Sequence, residues 1–147
     1  MTSSGPSRRT RALIVEDEVL IALGLEADLN ELGFDVCGFA ANARQAISRA
    51  MDDTPDIAVI DVCLNGARDG IETARVLREL CGMSVVFVTA YSDEGVIERI
   101  RRQVPGAPLL SKPLYGRWLA DAIAEVAVPA LGAQRAATSP GAIPYSA

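Results

Sequence analysis

Three consecutive acids, Glu16, Asp17 and Glu18, follow directly on the apolar run from Ala12 to Val15. Asp61 closes a second apolar run, Ile57 to Ile60, and Thr89 closes a third, Val85 to Val88. Leu109 and Leu110 lead into Ser111, Lys112 and Pro113. Like-charged carboxylates at the end of a buried segment are costly unless a counter-charge or a metal meets them. An all-oxygen donor set suits a hard divalent cation such as Mg2+, which keeps several of its waters. Lys112 is the single lysine in the chain, every other basic residue being arginine. A compact ammonium at that place offers a point charge rather than a bidentate fork. A carboxylate flanked by a cation, an ammonium and a hydroxyl is equipped to accept a phosphoryl group. Asp61 would attack in line while the positive charges offset the equatorial oxygens.

Those residues must be brought together by the elements that carry them. The apolar runs alternate with helical patterns at Val19 to Leu32, Ala43 to Met51, Asp69 to Leu80, Asp93 to Arg102 and Tyr115 to Val128. Val36 to Ala40 supplies one more strand, so the chain reads as five strand–helix units. Continuous apolar strands separated by helices imply an α/β fold, a parallel sheet covered on both faces, with its sites at the carboxyl ends of the strands. The second strand ends in Phe39 and Ala40, as an outer strand remote from a site would. Leu20, Leu23, Ala27 and Glu31 share one side of the first helix, which Gly33 ends and Glu18 caps. Asn42 is the expected cap of the second helix, Gly82 the stop of the third and Ser92 the cap of the fourth. Trp118 is expected to pack the last helix on the sheet, and Arg99, Arg101 and Arg102 to form a solvated face.

At 147 residues the chain fits one domain, with residues 1–10 a flexible leader, 11–128 the folded body and 129–147 a flexible tail. Between Ala12 and Val128 ten basic residues face nineteen acids, a balance of -9. An acidic body argues against a nucleic-acid-binding face. There is no histidine, and Cys37, Cys63 and Cys81 have no metal-ligand spacing, which excludes a Cys/His zinc site and histidine-based catalysis. Unpaired cysteines without a signal peptide point to a cytoplasmic protein. No apolar run reaches the roughly eighteen residues of a membrane span.

The order VEDE, DIAVIDVCLNGARDG, VVFVTAY, LLSKPL resembles the receiver domain of two-component response regulators, over about Arg11 to Val128. The resemblance implies a (βα)5 flavodoxin-like fold with strand order 2-1-3-4-5. It implies Asp61 as phosphoacceptor, Asp17 as direct Mg2+ ligand, Glu16 holding a metal-bound water, and the Cys63 backbone carbonyl as the remaining protein ligand. Thr89 would be the switch hydroxyl, Lys112 the partner of the phosphate, and the Lys112–Pro113 bond cis. Leu109 and Asn65 depart from the common family pattern, while Tyr91 resembles the pattern of a receiver subgroup with an aromatic after the strand-four Thr. Leu109 stands where a switch aromatic is usual, Tyr91 offers an aromatic from the neighbouring loop, and Asn65 replaces a common proline. A packing role for Tyr91 is an equal reading.

A stand-alone receiver is thus expected, phosphorylated by a sensor histidine kinase or a phosphotransfer protein. Its output would be phosphorylation-dependent protein binding, or a homodimer, through the face of the fourth helix, fifth strand and fifth helix. Nucleic-acid and membrane partners are not expected. The rival class is a small Mg2+-dependent aspartyl-phosphate phosphohydrolase of the haloacid-dehalogenase type. That chemistry wants a second Asp two residues after the nucleophile, where this chain has Cys63.

Overall fold

The structure, a computed structural model, describes residues 9–64, 69–90, 93–112 and 116–126. The elements run β1 (Arg11–Val15), α1 (Val19–Glu31), β2 (Asp35–Ala40), α2 (Ala43–Asp53), β3 (Ile57–Asp61), α3 (Gly70–Cys81), β4 (Ser84–Thr89), α4 (Glu94–Gln103), β5 (Leu109–Ser111) and α5 (Gly116–Val126). The strands form one parallel sheet in the order β2-β1-β3-β4-β5, as expected.

Strict side-chain alternation splits the core in two. Leu13, Val15, Ala58, Ile60, Val85, Phe87 and Leu109 point to one face, under α2, α3 and α4. Ala12, Ile14, Ile57, Val59, Val86, Val88 and Leu110 point to the other, under α1 and α5. Each fully buried Leu or Ile contributes roughly 1.5–3 kcal/mol relative to exposure, so the central strands dominate the fold. β2 lies at the edge and buries only Ala40 fully, leaving Asp35 and Phe39 exposed.

Helix ends follow local chemistry. The side chains of Asn42, Asp69 and Asp93 accept from the backbone N–H of Gln45, Glu72 and Val96 and so cap α2, α3 and α4. Gly82 stops α3 in the left-handed region at φ 65°, where a side chain would be strained.

The structure corrects or refines the sequence reading at four places. The cap of α4 is Asp93, because its carboxylate reaches Val96 N at 2.8 Å; Ser92 lies outside the described residues. Glu18 occupies the cap position of α1 but makes no side-chain capping bond. α1 buries Ala22, Leu25 and Leu29, whereas Leu20 and Leu23 are 83% and 49% exposed. The helix is apolar nearly all round, so periodicity alone does not choose its inner face. Trp118 is exposed, and Leu119, Ala122 and Ile123 seat α5 instead. The expected leader and tail fall largely or wholly outside the described residues.

Candidate functional site

β1 hydrogen-bonds to β2 on one side and β3 on the other, so the chain reverses its direction of winding between β1 and β3. Helices leave the sheet to opposite faces there, and a crevice opens at the carboxyl ends of the two strands. Glu16 and Asp17 follow β1, and Asp61 ends β3. One ligand oxygen from each of the three lies within 4.8 Å of the others.

Lys112 enters from the other half of the sheet. Its backbone N–H donates to the Thr89 carbonyl at 2.8 Å, extending the β4–β5 ladder one residue beyond Ser111. From that anchor Lys112 Nζ donates to Asp61 Oδ2 at 2.9 Å and to Glu16 Oε1 at 3.1 Å. The second oxygen of Asp61, Oδ1, accepts from the Cys63 N–H at 2.9 Å. Glu16 Oε2 accepts from the Glu18 N–H at 3.2 Å. Burial pushes Glu16 up to about 7, with Asp61 adding to the rise and Lys112 opposing it. Burial also works against the charged form of Lys112. Its bonds to Asp61 and Glu16 outweigh that cost and hold its pKa above the usual lysine value.

Thr89 is buried at the end of β4, one residue past Val88, which pairs with Asp61 across the ladder. Leu109, at the position of the family aromatic, is fully buried under α4 with Ile100 and Val104. Tyr91, Asn65 and Pro113 lie outside the described residues. The Cys63 residue is exposed.

One residue, Gly70, and one pairing, Arg99 with Asp69, escaped the sequence reading. A Cβ added to Gly70 would lie 1.9 Å from the Asp61 carbonyl oxygen and 2.9 Å from its carbon. The start of α3 therefore packs directly on the backbone of Asp61, and only glycine permits the approach. Glycine at the first position of a helix, against its propensity, was the available signal. Arg99 is partly exposed, as expected of that face, but it also makes a specific ion pair: its Nη1 donates to Asp69 Oδ2 at 2.8 Å. No sequence spacing signals that pair.

The donor set fits Mg2+, since all three side chains offer hard oxygens and the net charge of the cluster calls for a cation. A flavodoxin-like sheet with acids and a lysine converging at its switch point is the architecture of a receiver. The chain belongs to that family: the model described as "Response regulator receiver domain" matches residues 12–124. Transcriptional regulatory protein PdtaR of Mycobacterium tuberculosis is 35% identical over 91 residues, which is 62% of this chain and 44% of that protein. The chain therefore matches less than half the length of this curated relative. The signal receiver domain of a modulated diguanylate cyclase from Desulfovibrio desulfuricans G20 superposes with TM-score 0.77 at 35% identity, covering 87% of this chain and all of that one. The receiver domain of PhyR from Erythrobacter litoralis gives TM-score 0.67 at 29% identity, covering 80% and 88%. Among the described residues no helix is long and apolar enough to cross a membrane.

Proposed function

We propose that this chain is a cytoplasmic phosphoacceptor that takes a phosphoryl group on Asp61 and signals by protein binding rather than by turnover of a substrate. The observation that carries the reading is the position of Asp61. Its carboxylate sits at the sheet's switch point, 2.9 Å from a lysine ammonium and beside two further acids. The donor would be a phosphohistidine of a sensor kinase or a phosphotransfer protein. An Asp61 oxygen forms the new P–O bond as the donor's P–N bond breaks, and the electron pair stays on the imidazole nitrogen, which takes up a proton.

Asp17, Asp61 and the Cys63 backbone carbonyl would hold Mg2+, with Glu16 binding one of its waters. Bound there, the cation offsets charge on the transferring oxygens. Lys112 then exchanges its bond to the carboxylate for one to the phosphoryl oxygen. The Thr89 hydroxyl turns toward the same group, and the change passes into the segment that precedes α4. Leu109 carries no ring, so an aromatic toggle on β5 plays no part; Tyr91 is the candidate aromatic. The α4–β5–α5 face is the proposed output surface, for an effector protein or a second copy.

A small phosphodonor such as acetyl phosphate, supplied with Mg2+, tests the assignment. The parent chain should gain one acid-stable, hydroxylamine-labile phosphate, and Asp61→Asn none. Equal labelling of the two would refute Asp61 as acceptor. Release of phosphate from an external phosphomonoester would favour the hydrolase reading.

A further inference from the structure

We infer that Arg99 is a positioning residue, and that its ion pair with Asp69 ties α4 to the start of α3, which packs on the backbone of the phosphoacceptor. The inference rests on the reading of Asp61 as the acceptor and adds a residue outside the acid–lysine cluster.

The loop after Asp61 is closed at its neck. The Val62 N–H donates to the Val88 carbonyl at 3.0 Å, and the Gly70 N–H donates to the Val62 carbonyl at 2.9 Å. Asp69, the last residue before that closure, is held from three directions. Its Oδ1 accepts from the Glu72 N–H at 2.9 Å and its carbonyl from the Thr73 hydroxyl at 2.9 Å. Its Oδ2 accepts from Arg99 Nη1 at 2.8 Å. The first two bonds belong to α3 and fix Asp69 in place. The third reaches across to the second turn of α4.

α4 is lightly seated by comparison. It fully buries Ile100 alone, with Val96 and Ile97 partly covered. A polar link at its centre therefore carries an unusual share of its positioning. Gly70 makes the link informative about the site. Its backbone packs on the Asp61 carbonyl with no space left for a side chain, so a displacement of Asp69 passes through Gly70 to the acceptor's backbone. At its other end α4 follows Thr89 by a short segment. A shift of α4 on phosphorylation must therefore stretch or break the Arg99–Asp69 pair. The pair stabilises the arrangement in which Lys112 holds the unmodified carboxylate, and its loss shifts the population toward the modified one.

Asp69→Asn keeps the capping oxygen and removes the charge; Arg99→Gln removes the cation; Arg99→Lys keeps it. Two readouts apply to each: hydrogen exchange of amides 94–103, and binding of beryllofluoride with Mg2+. Because the pair is partly exposed, effects of about two- to fivefold are expected. Arg99→Gln, Asp69→Asn and the double variant should each speed α4 exchange and tighten beryllofluoride binding by the same factor, without summing. Arg99→Lys should restore both values. Unchanged α4 exchange, additive effects, or faster exchange with unaltered beryllofluoride affinity would each overturn the inference. Failure of the parent chain to bind beryllofluoride at all would instead remove the phosphoacceptor reading, and this inference with it.

Discussion

Two ion-pair systems lie within one loop of each other and differ in almost every physical respect. Lys112 bridges Glu16 and Asp61 with side chains only 16%, 0% and 7% exposed. Arg99 and Asp69 pair with side chains 41% and 39% exposed. In the first, desolvation is severe and each charge depends on the others. In the second, water can replace either partner at little cost. The buried system is suited to hold a geometry, and the exposed one to let go of it. Gly70 joins them, being the chain neighbour of Asp69 and the packing neighbour of Asp61.

The contrast can be broken most forcefully at Lys112. Lys112→Met leaves two buried carboxylates without their ammonium and should cost about 3–5 kcal/mol of stability at pH 8 in metal-free buffer. Urea titration measures this, and millimolar Mg2+ should recover part of the loss. An unchanged midpoint would mean that the cluster is wetter than its burial indicates. Next comes the joint between the systems. Gly70→Ala should cost about 2–3 kcal/mol, because neither the helix start nor the strand end can yield freely. It should also slow phosphorylation of Asp61, whereas a purely global destabilisation would leave the rate per folded molecule intact.

Acidity separates the two systems by sign. The pKa of Glu16 is raised on folding to about 7, so the folded chain keeps a proton that the unfolded chain releases. Its stabilising contribution is complete below the ordinary glutamate range and is lost as pH rises through about 7. Asp69 behaves in the opposite sense. Burial raises its pKa, but the Arg99 bond and the Glu72 N–H outweigh that and leave it lowered. Its contribution is present above the ordinary aspartate range and is lost as pH falls through the folded value. Metal-free stability curves should lose their decline between pH 5 and 8 in Glu16→Gln and keep it in Asp69→Asn. The smallest effect belongs to the exposed pair: Arg99→Gln should lower global stability by no more than about 1 kcal/mol in the same urea assay.

Much of the rim was legible because strands announce themselves as apolar runs and a parallel sheet sends all their carboxyl ends one way. Asp61, Thr89 and Lys112 needed only that rule to be placed together. The inward face of α1 was not legible. Val19, Leu20 and Leu23 are as apolar as Ala22, Leu25 and Leu29, and only the seat offered by β1 and β3 decides between them. The Arg99–Asp69 pair is invisible to sequence for another reason. It joins residues from different strand–helix units, and no periodicity links them. The cap of α4 was missed by one residue, since Ser92 and Asp93 are both good caps and helix phase chose the second.

The Ser84 hydroxyl donates to the carbonyl of Val126 at 2.8 Å, fastening the end of α5 to the first residue of β4. Asp61 and Thr89 stand at the far end of that sheet, a strand's length of about 17 Å away at roughly 3.3 Å per residue. The last described turn of α5 thus lies at the pole opposite Asp61 and Lys112. Were Asp61 to take the proposed phosphoryl group, the change would have to traverse the full height of the sheet to reach Val126, whereas a protein docking on α4 would meet it next door.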